Sequence, residues 1–356
     1  MSWARLEVRN TRWRSVLQHW ATDPRVGTLR VVDYPSTTVG NIARAPVELT
    51  RSWDPRIDAV TGRVALWRKT TPFDSLSWRR TGRALDAALP PAGNRRVVVA
   101  TTPLWAPALG TVSADARGFD AVDDWRAHYL TARVAPHVVA GYGAAAANAG
   151  VWTSVRASLS ERLEADFGVP VETVSNGVDL DAYTGPLPSR PSTLPAQPFA
   201  LYLGVVHPAR VNIDLLEKVS AEMPVVVAGP ADAATADALR RSGVVWLGEV
   251  DQSSVPAIAR SAALGLIPHH DTALTQSMDP MKLREYLAAG LPVVTTVAPP
   301  SDLASTRVLV SSVGDFVGRV RDAATLPMLG TPDPGVEHRT WSAVADALFT
   351  AHLATA

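Results

Sequence analysis

Short, unbroken apolar runs rich in β-branched residues recur along this chain, each followed by a helical pattern. In the first half they fall at Thr28–Tyr34, Arg95–Thr102, Gly150–Val155 and Val171–Ser175. In the second half they fall at Phe199–Gly204, Pro224–Pro230, Val244–Val250, Ala262–Pro268 and Pro292–Thr296. A strand that is apolar on both faces must be covered on both faces. Such strands alternating with helices predict a parallel sheet. Between the halves lies Tyr183–Phe199, which contains Pro186, Pro188, Pro191, Pro195 and Pro198. Proline lacks an amide donor and fixes φ, so this stretch reads as a spacer. The expected organisation is an α/β chain of two doubly wound, Rossmann-like domains facing across a cleft. Residues 1–183 form the first, 184–198 the linker and 199–340 the second. Residues 341–356 form a terminal helix packing back on the first domain. In such sheets ligands sit beyond the carboxyl ends of the strands.

Composition narrows the chemistry. Lys+Arg and Asp+Glu are both 34, so there is no basic excess for nucleic acid. With no cysteine, disulfides, thiolate metal sites and a Cys nucleophile are excluded. Val134–Val155 is long and uncharged, but its Gly, Ala, Pro136, His137 and Asn148 make it too weakly hydrophobic for a membrane span. It reads as buried core, and the chain opens without a secretory h-region, so a cytoplasmic protein is expected. Near the N-terminus, Trp13, Val16, Leu17 and Trp20 share one helical face within an arginine-rich segment. That stripe fits either a weak peripheral membrane contact through residues 1–30 or packing on a sheet. Ahead of it, either Trp3–Arg9 is a short first strand or the first domain lacks one there.

The most informative segment is Ser277–Thr296, SMDPMKLREYLAAGLPVVTT. Asp279 before Pro280 predicts an N-cap and a first-turn proline. Gly290 closes the helix and a buried strand follows. A helix start offers free amides and the positive dipole end to phosphate. Lys282 and Glu285, three apart, share a face. A cation for phosphate and a carboxylate for sugar hydroxyls would form a nucleotide-sugar grip. The same spacing also fits an ordinary amphipathic helix.

The stretch PMKLREYLAAGLPVV resembles the signature of GT-B glycosyltransferases similar to family four. Three further segments resemble that family in the same order: VSNGVDLDAY (Val174–Tyr183), LYLGVVHPARVNIDLL (Leu201–Leu216) and VVWLGEVDQSSVPAIARSAALGLIPHH (Val244–His270). Ser175 stands where the family has proline, and Asn212 where it has Asp. The resemblance implies that Glu285 binds ribose, and that Arg210, Lys282 and Gly204 meet the diphosphate. It also implies that Gly248, Glu249 and Val250 wall the base. Arg210 is equally readable as a surface arginine, and Gly248–Val250 as a plain strand-end turn. Many members carry a second Glu, on the donor sugar, where this chain has Ser277. Asp279 is the nearest carboxylate. Ser277, Asp279 and one of His207, His269 and His270, taken as His269, are therefore the candidate donor-sugar contacts.

In the first domain, GFDAVDDWRAHY (Gly118–Tyr129) resembles a segment of some bacterial relatives. Asp120, Asp123 and Asp124 are candidate acceptor or base residues, with Asp123 and Asp124 the candidate catalytic pair. Asp123-Asp124 also reads as a helix cap ahead of Trp125. Most of the 11 tryptophans precede the linker. Trp105 and Trp125 are taken as acceptor-stacking rings, against the commoner role of Trp in packing. The resemblance implies transfer of a sugar from a nucleotide diphosphate sugar to a glycan, lipid-linked or small-molecule acceptor. Retention of configuration is expected, with no cofactor and no metal. Leaving-group charge would be met by protein cations, and the leaving phosphate would take the acceptor proton. A non-catalytic sugar-binding or partner subunit, or a nucleotide-sugar epimerase, is the alternative.

Overall fold

The computed structural model describes residues 12–32, 47–50, 57–62, 75–88, 95–128, 134–186 and 189–354. The expected early strand at Trp3–Arg9 lies outside them. The chain divides into two compact units, Met1–Ser175 with Val344–Ala356, and Asn176–Ala343.

The first unit holds two sheets. In the smaller, β1 (Leu29–Val32) runs parallel to β3 (Ile57–Gly62), and β2 (Val47–Thr50) is antiparallel to β3. The larger contains β4 (Val97–Ala100), β5 (Ala116–Ala121), β6 (Val151–Ser154) and β7 (Val171–Thr173), all parallel and in that order. Helices Ala135–Asn148 and Ala157–Phe167 connect its later strands. The core is aromatic: Phe119 lies 4.8 Å from Trp152 and 5.6 Å from Tyr142, ring centroid to centroid.

The first helix, Arg12–Trp20, buries the stripe read from the sequence. Trp13, Val16, Leu17 and Trp20 are all buried, and so is Arg12. Trp20 Nε1 donates to the Ala345 carbonyl at 3.0 Å and its ring meets Phe349 edge-on. The apolar face is thus covered within the unit. This corrects the membrane-surface reading: the stripe has its partners in the protein. At its start, Arg12 Nε (3.0 Å) and Trp13 Nε1 (2.9 Å) both donate to Asp120 on β5.

The second unit is one six-stranded parallel sheet. Its strands are β8 (Ala200–Leu203), β9 (Val225–Ala228), β10 (Val245–Gly248), β11 (Leu264–Ile267), β12 (Val293–Thr295) and β13 (Val308–Val310). Their spatial order is β10-β9-β8-β11-β12-β13, so the winding reverses between β8 and β11. Every residue of β8, β9, β11 and β12 is buried. Alternate β8 residues feed opposite cores: Leu201 and Leu203 one, Ala200 and Tyr202 the other. This is why those runs are apolar without alternation. The proline-rich stretch lies in this unit, where Leu194 is buried with Tyr183 and Phe199. The division of the chain falls instead at Ser175–Asn176. Among the described residues, no helix is long and apolar enough to cross a membrane.

Candidate active site

In an open α/β sheet, the point where the winding reverses leaves a crevice at the carboxyl ends of the two central strands. Here β8 and β11 pair only through Leu264–Ala200 and Gly265–Leu201, whereas β11 keeps its pairing with β12 as far as Ile267. The Tyr286 hydroxyl bridges the gap between them. It accepts from Leu203 N at 2.8 Å and faces the Leu201 (3.0 Å) and Leu266 (3.3 Å) carbonyls. A Cβ on Gly265 would come within 2.4 Å of the Tyr286 ring, so this anchor requires glycine on β11. Tyr286 thereby fixes the helix Met281–Ala288, which carries Lys282 and Glu285, over the reversal point.

Four candidates converge there. Gly204 ends β8 with φ +100, which an L side chain rarely adopts. The Lys282 ammonium lies 3.9 Å from the Tyr202 ring centroid and 3.5 Å from where a Gly204 Cβ would stand. Arg210 is half-buried, donates to the Val205 carbonyl at 3.0 Å, and has its Nε enclosed without a partner among the described residues. Its loop is zipped to the one after β11. Val211 pairs antiparallel with His269, His270 N donates to Arg210 O at 2.9 Å, and Asn212 N donates to Pro268 O at 2.8 Å. Burial holds Lys282 well below the ordinary lysine pKa; Arg210 lowers it further and the Glu285 carboxylate acts against both. Burial likewise holds His269 well below the usual histidine range, with Lys282, Arg210 and His270 adding to the effect. Among the described residues neither Arg210 nor Lys282 forms an ion pair. Two basic side chains with no ion-pair partner among the described residues, beside a buried imidazole, form a site that an anion would complete.

Glu285 lies one turn along from Lys282, half-buried, with Gln252 Nε2 3.4 Å from its carboxylate. Gln252 was not a candidate in the sequence; nothing local marks a glutamine that reaches another element. Gly248 ends β10 at φ +71 and accepts from Gly229 N at 2.7 Å. Glu249 is exposed and Val250 half-buried, on the segment leading to Gln252. Asn212 caps the helix Ile213–Ser220 by accepting from Leu215 N at 3.2 Å.

Two expected donor contacts are committed elsewhere. The Ser277 hydroxyl is fully buried and donates to its own helix at Leu274 O, 2.8 Å away. Asp279 does not cap the helix, whose N-cap position is Pro280. Its carboxylate is instead buried against Arg284 and accepts from Asn176 N at 2.7 Å. Arg284 continues to Asp302, and Asp302 to Arg339. A fully buried guanidinium needs a carboxylate, and that need outweighs capping.

In the first unit, the Asp124 carboxylate caps the turn Trp125–Ala127 through Arg126 N and pairs with Arg126 (2.9 Å) and Arg162 (3.1 Å). Burial would raise its pKa, but the hydrogen bonds and charge of Arg126 hold it below the ordinary aspartate value. That makes it a weak base and favours the capping reading. Asp120 is fully buried, accepting from Arg12, Trp13 and Thr153. Asp123 is the most accessible of the three, with His128 3.5 Å away. Trp105 packs edge-on against Trp78, and Trp125 lies in the aromatic core. With 8% and 6% of their surfaces exposed, neither ring presents a stacking face, which corrects the acceptor assignment. Among the described residues, no cluster of three or more His, Asp or Glu could hold a metal ion.

Residues 200–325 match the family model described as Glycosyl transferases group 1. A teichuronic acid biosynthesis glycosyltransferase, TuaH of Bacillus subtilis (strain 168), is 28% identical over 139 residues, covering 36% of this chain. That match spans 35% of the relative's own length. Among solved structures, the lipopolysaccharide outer core galactosyltransferase WaaB superposes with a TM-score of 0.56 at 12% identity, over 84% of this chain and 85% of that one. Anabaena Alr3699/HepE, solved with UDP and glucose, gives 0.52 at 12% identity, over 68% and 72%. By its fold, and by the segment 200–325 that carries Gly204, Arg210, Lys282 and Glu285, the chain is similar to the GT-B glycosyltransferases of group 1.

Proposed function

We propose that this protein transfers a sugar from a nucleotide diphosphate sugar to an acceptor hydroxyl. The observation that carries the reading is the pair of basic side chains, Arg210 and Lys282, held without ion-pair partners among the described residues where the sheet reverses its winding. A diphosphate fits that charge. Glu285 lies one helical turn further on, where it would accept from the ribose hydroxyls, and Gly248–Val250 would line the base. UDP is the first nucleotide to test, because Alr3699/HepE was solved with it. An acceptor in bacterial polysaccharide assembly is supported by what TuaH and WaaB are named for.

In this reading the donor's glycosidic C–O bond to the diphosphate breaks as the acceptor oxygen attacks the anomeric carbon. The electron pair leaves with the diphosphate, whose growing charge meets Lys282 and Arg210. The departing phosphate oxygen takes the acceptor proton on the same face, giving retention without a carboxylate nucleophile. The two cations would do the charge neutralisation that a metal does elsewhere.

Incubation with UDP-, GDP- and ADP-sugars in the absence of acceptor tests the proposal. Slow release of free nucleotide from one of them, abolished by Glu285→Ala, is the expected result. No release from any of them, with no binding, would refute it.

A further inference from the structure

His269 is a buried group at this site whose polarity no described residue answers. Its side chain is 1% exposed, and both ring nitrogens are enclosed without a hydrogen-bond partner among the described residues. A neutral imidazole always offers one N–H donor and one lone-pair acceptor, whichever tautomer is present. Leaving both buried and unused is costly, so such a group needs an explanation. The ring is also held in place. Its backbone pairs with Val211, and its carbonyl accepts from the Thr296 hydroxyl. Arg210 and Lys282 stand beside it, both on long, half-buried side chains.

We infer that His269 reads the junction of diphosphate and sugar in the donor, its N–H donating to a phosphoryl oxygen and its other nitrogen accepting from a sugar hydroxyl. This rests on the transferase reading above. A diphosphate alone does not satisfy the ring, because ionised phosphoryl oxygens only accept. A sugar hydroxyl supplies the missing donor. A protonated ring would offer two donors and no acceptor, and the two neighbouring cations oppose that state. The ring is enclosed, so this contact requires the long Arg210 and Lys282 side chains beside it to move onto the diphosphate. His269 therefore distinguishes an intact nucleotide sugar from the spent nucleoside diphosphate, which favours loading of donor over retention of product.

Calorimetric titration of the wild type, His269→Phe and His269→Gln with UDP and with UDP-glucose tests this, with GDP/GDP-glucose and ADP/ADP-glucose run in parallel. Phenylalanine keeps the ring's bulk and removes both polar atoms. Glutamine retains a donor and an acceptor. His269→Phe is expected to weaken the nucleotide sugar by at least about fivefold more than the matching diphosphate, with glutamine recovering much of the difference. Equal losses on both ligands, or no loss on either, in a phenylalanine variant that melts like the wild type would overturn the inference. Failure of the wild type to bind any of these nucleotides would instead bring down the transferase reading, and this inference with it.

Discussion

Acid should destabilise the first unit through one residue, His352. Its Nε2 lies 2.9 Å from the Thr153 hydroxyl, and that hydroxyl donates to Asp120 at 2.6 Å. The Thr153 oxygen is therefore an acceptor for the ring, so His352 carries its proton on Nε2. Nδ1 is buried without a partner among the described residues and packs on Gly118, where a Cβ would stand 2.1 Å from it. A second proton on Nδ1 would find no acceptor. Burial accordingly lowers the pKa from 6.5 to about 4; Asp120 pulls it upward and Arg12 downward. The folded state thus binds this proton later than the unfolded chain does. Stability is fully present above the unfolded value of 6.5 and is lost as pH falls through 6.5 towards about 4. A shift of that size corresponds to about 3 kcal/mol in total, most of it gone by about pH 4.5. Thermal melts of wild type and His352→Gln between about pH 7 and about pH 4.5 measure it, since glutamine keeps a donor for Thr153 without titrating. The wild type should lose about 2–3 kcal/mol more than the variant over that interval. Parallel losses in the two proteins would refute the reasoning, whatever their difference at neutral pH.

At the candidate site, Glu285→Ala should weaken nucleotide binding by about 10- to 150-fold in calorimetry with no change in melting, as expected for one charged hydrogen bond. Lys282→Ala and Arg210→Ala should each lower kcat more than donor affinity, because diphosphate charge grows towards the transition state; a rise in KM alone would mean uniform binding. Trp105→Ala and Trp125→Ala should cost about 3–5 kcal/mol of stability in denaturant titrations, rather than act on acceptor KM alone. Turnover should survive chelation, and complete loss in EDTA restored by magnesium or manganese would overturn the metal-independent scheme.

The strands that sequence patterning found are those whose burial leaves a local trace. β8, β9, β11 and β12 are covered on both faces and read as continuous apolar runs. β13 lies at the sheet edge and is only partly buried, so Val308–Val310 gives too short a signal. β2 and β3, VELT and IDAVTG, carry polar residues within the run, so no continuous apolar signal marks them. Lys282 and Glu285 were legible because one helical face joins them. Asp279 was misread because Asp-Pro is a local capping signal, while its actual partners, Arg284 and Asn176, answer a burial that no local pattern reveals. For Asp124 the local signal was right, and the cap formed.

The sequence by itself determined that the central strands of the second unit are parallel and covered on both faces, and that Lys282 and Glu285 share one face of a helix between β11 and β12. Those features depend on residues near one another in the chain: apolar run length, a glycine after a strand, a three-residue spacing on a helix. Only the tertiary structure decided which polar groups are already spent and which are not. It committed Asp120, Asp124, Ser277 and Asp279 to internal partners and buried Trp105, Trp125 and the N-terminal stripe. It left His269 enclosed beside Arg210 and Lys282 with neither ring nitrogen bonded among the described residues. The physical reason is that whether a hydrogen bond is satisfied depends on what a side chain meets across the fold, at separations such as the 103 residues between Asn176 and Asp279.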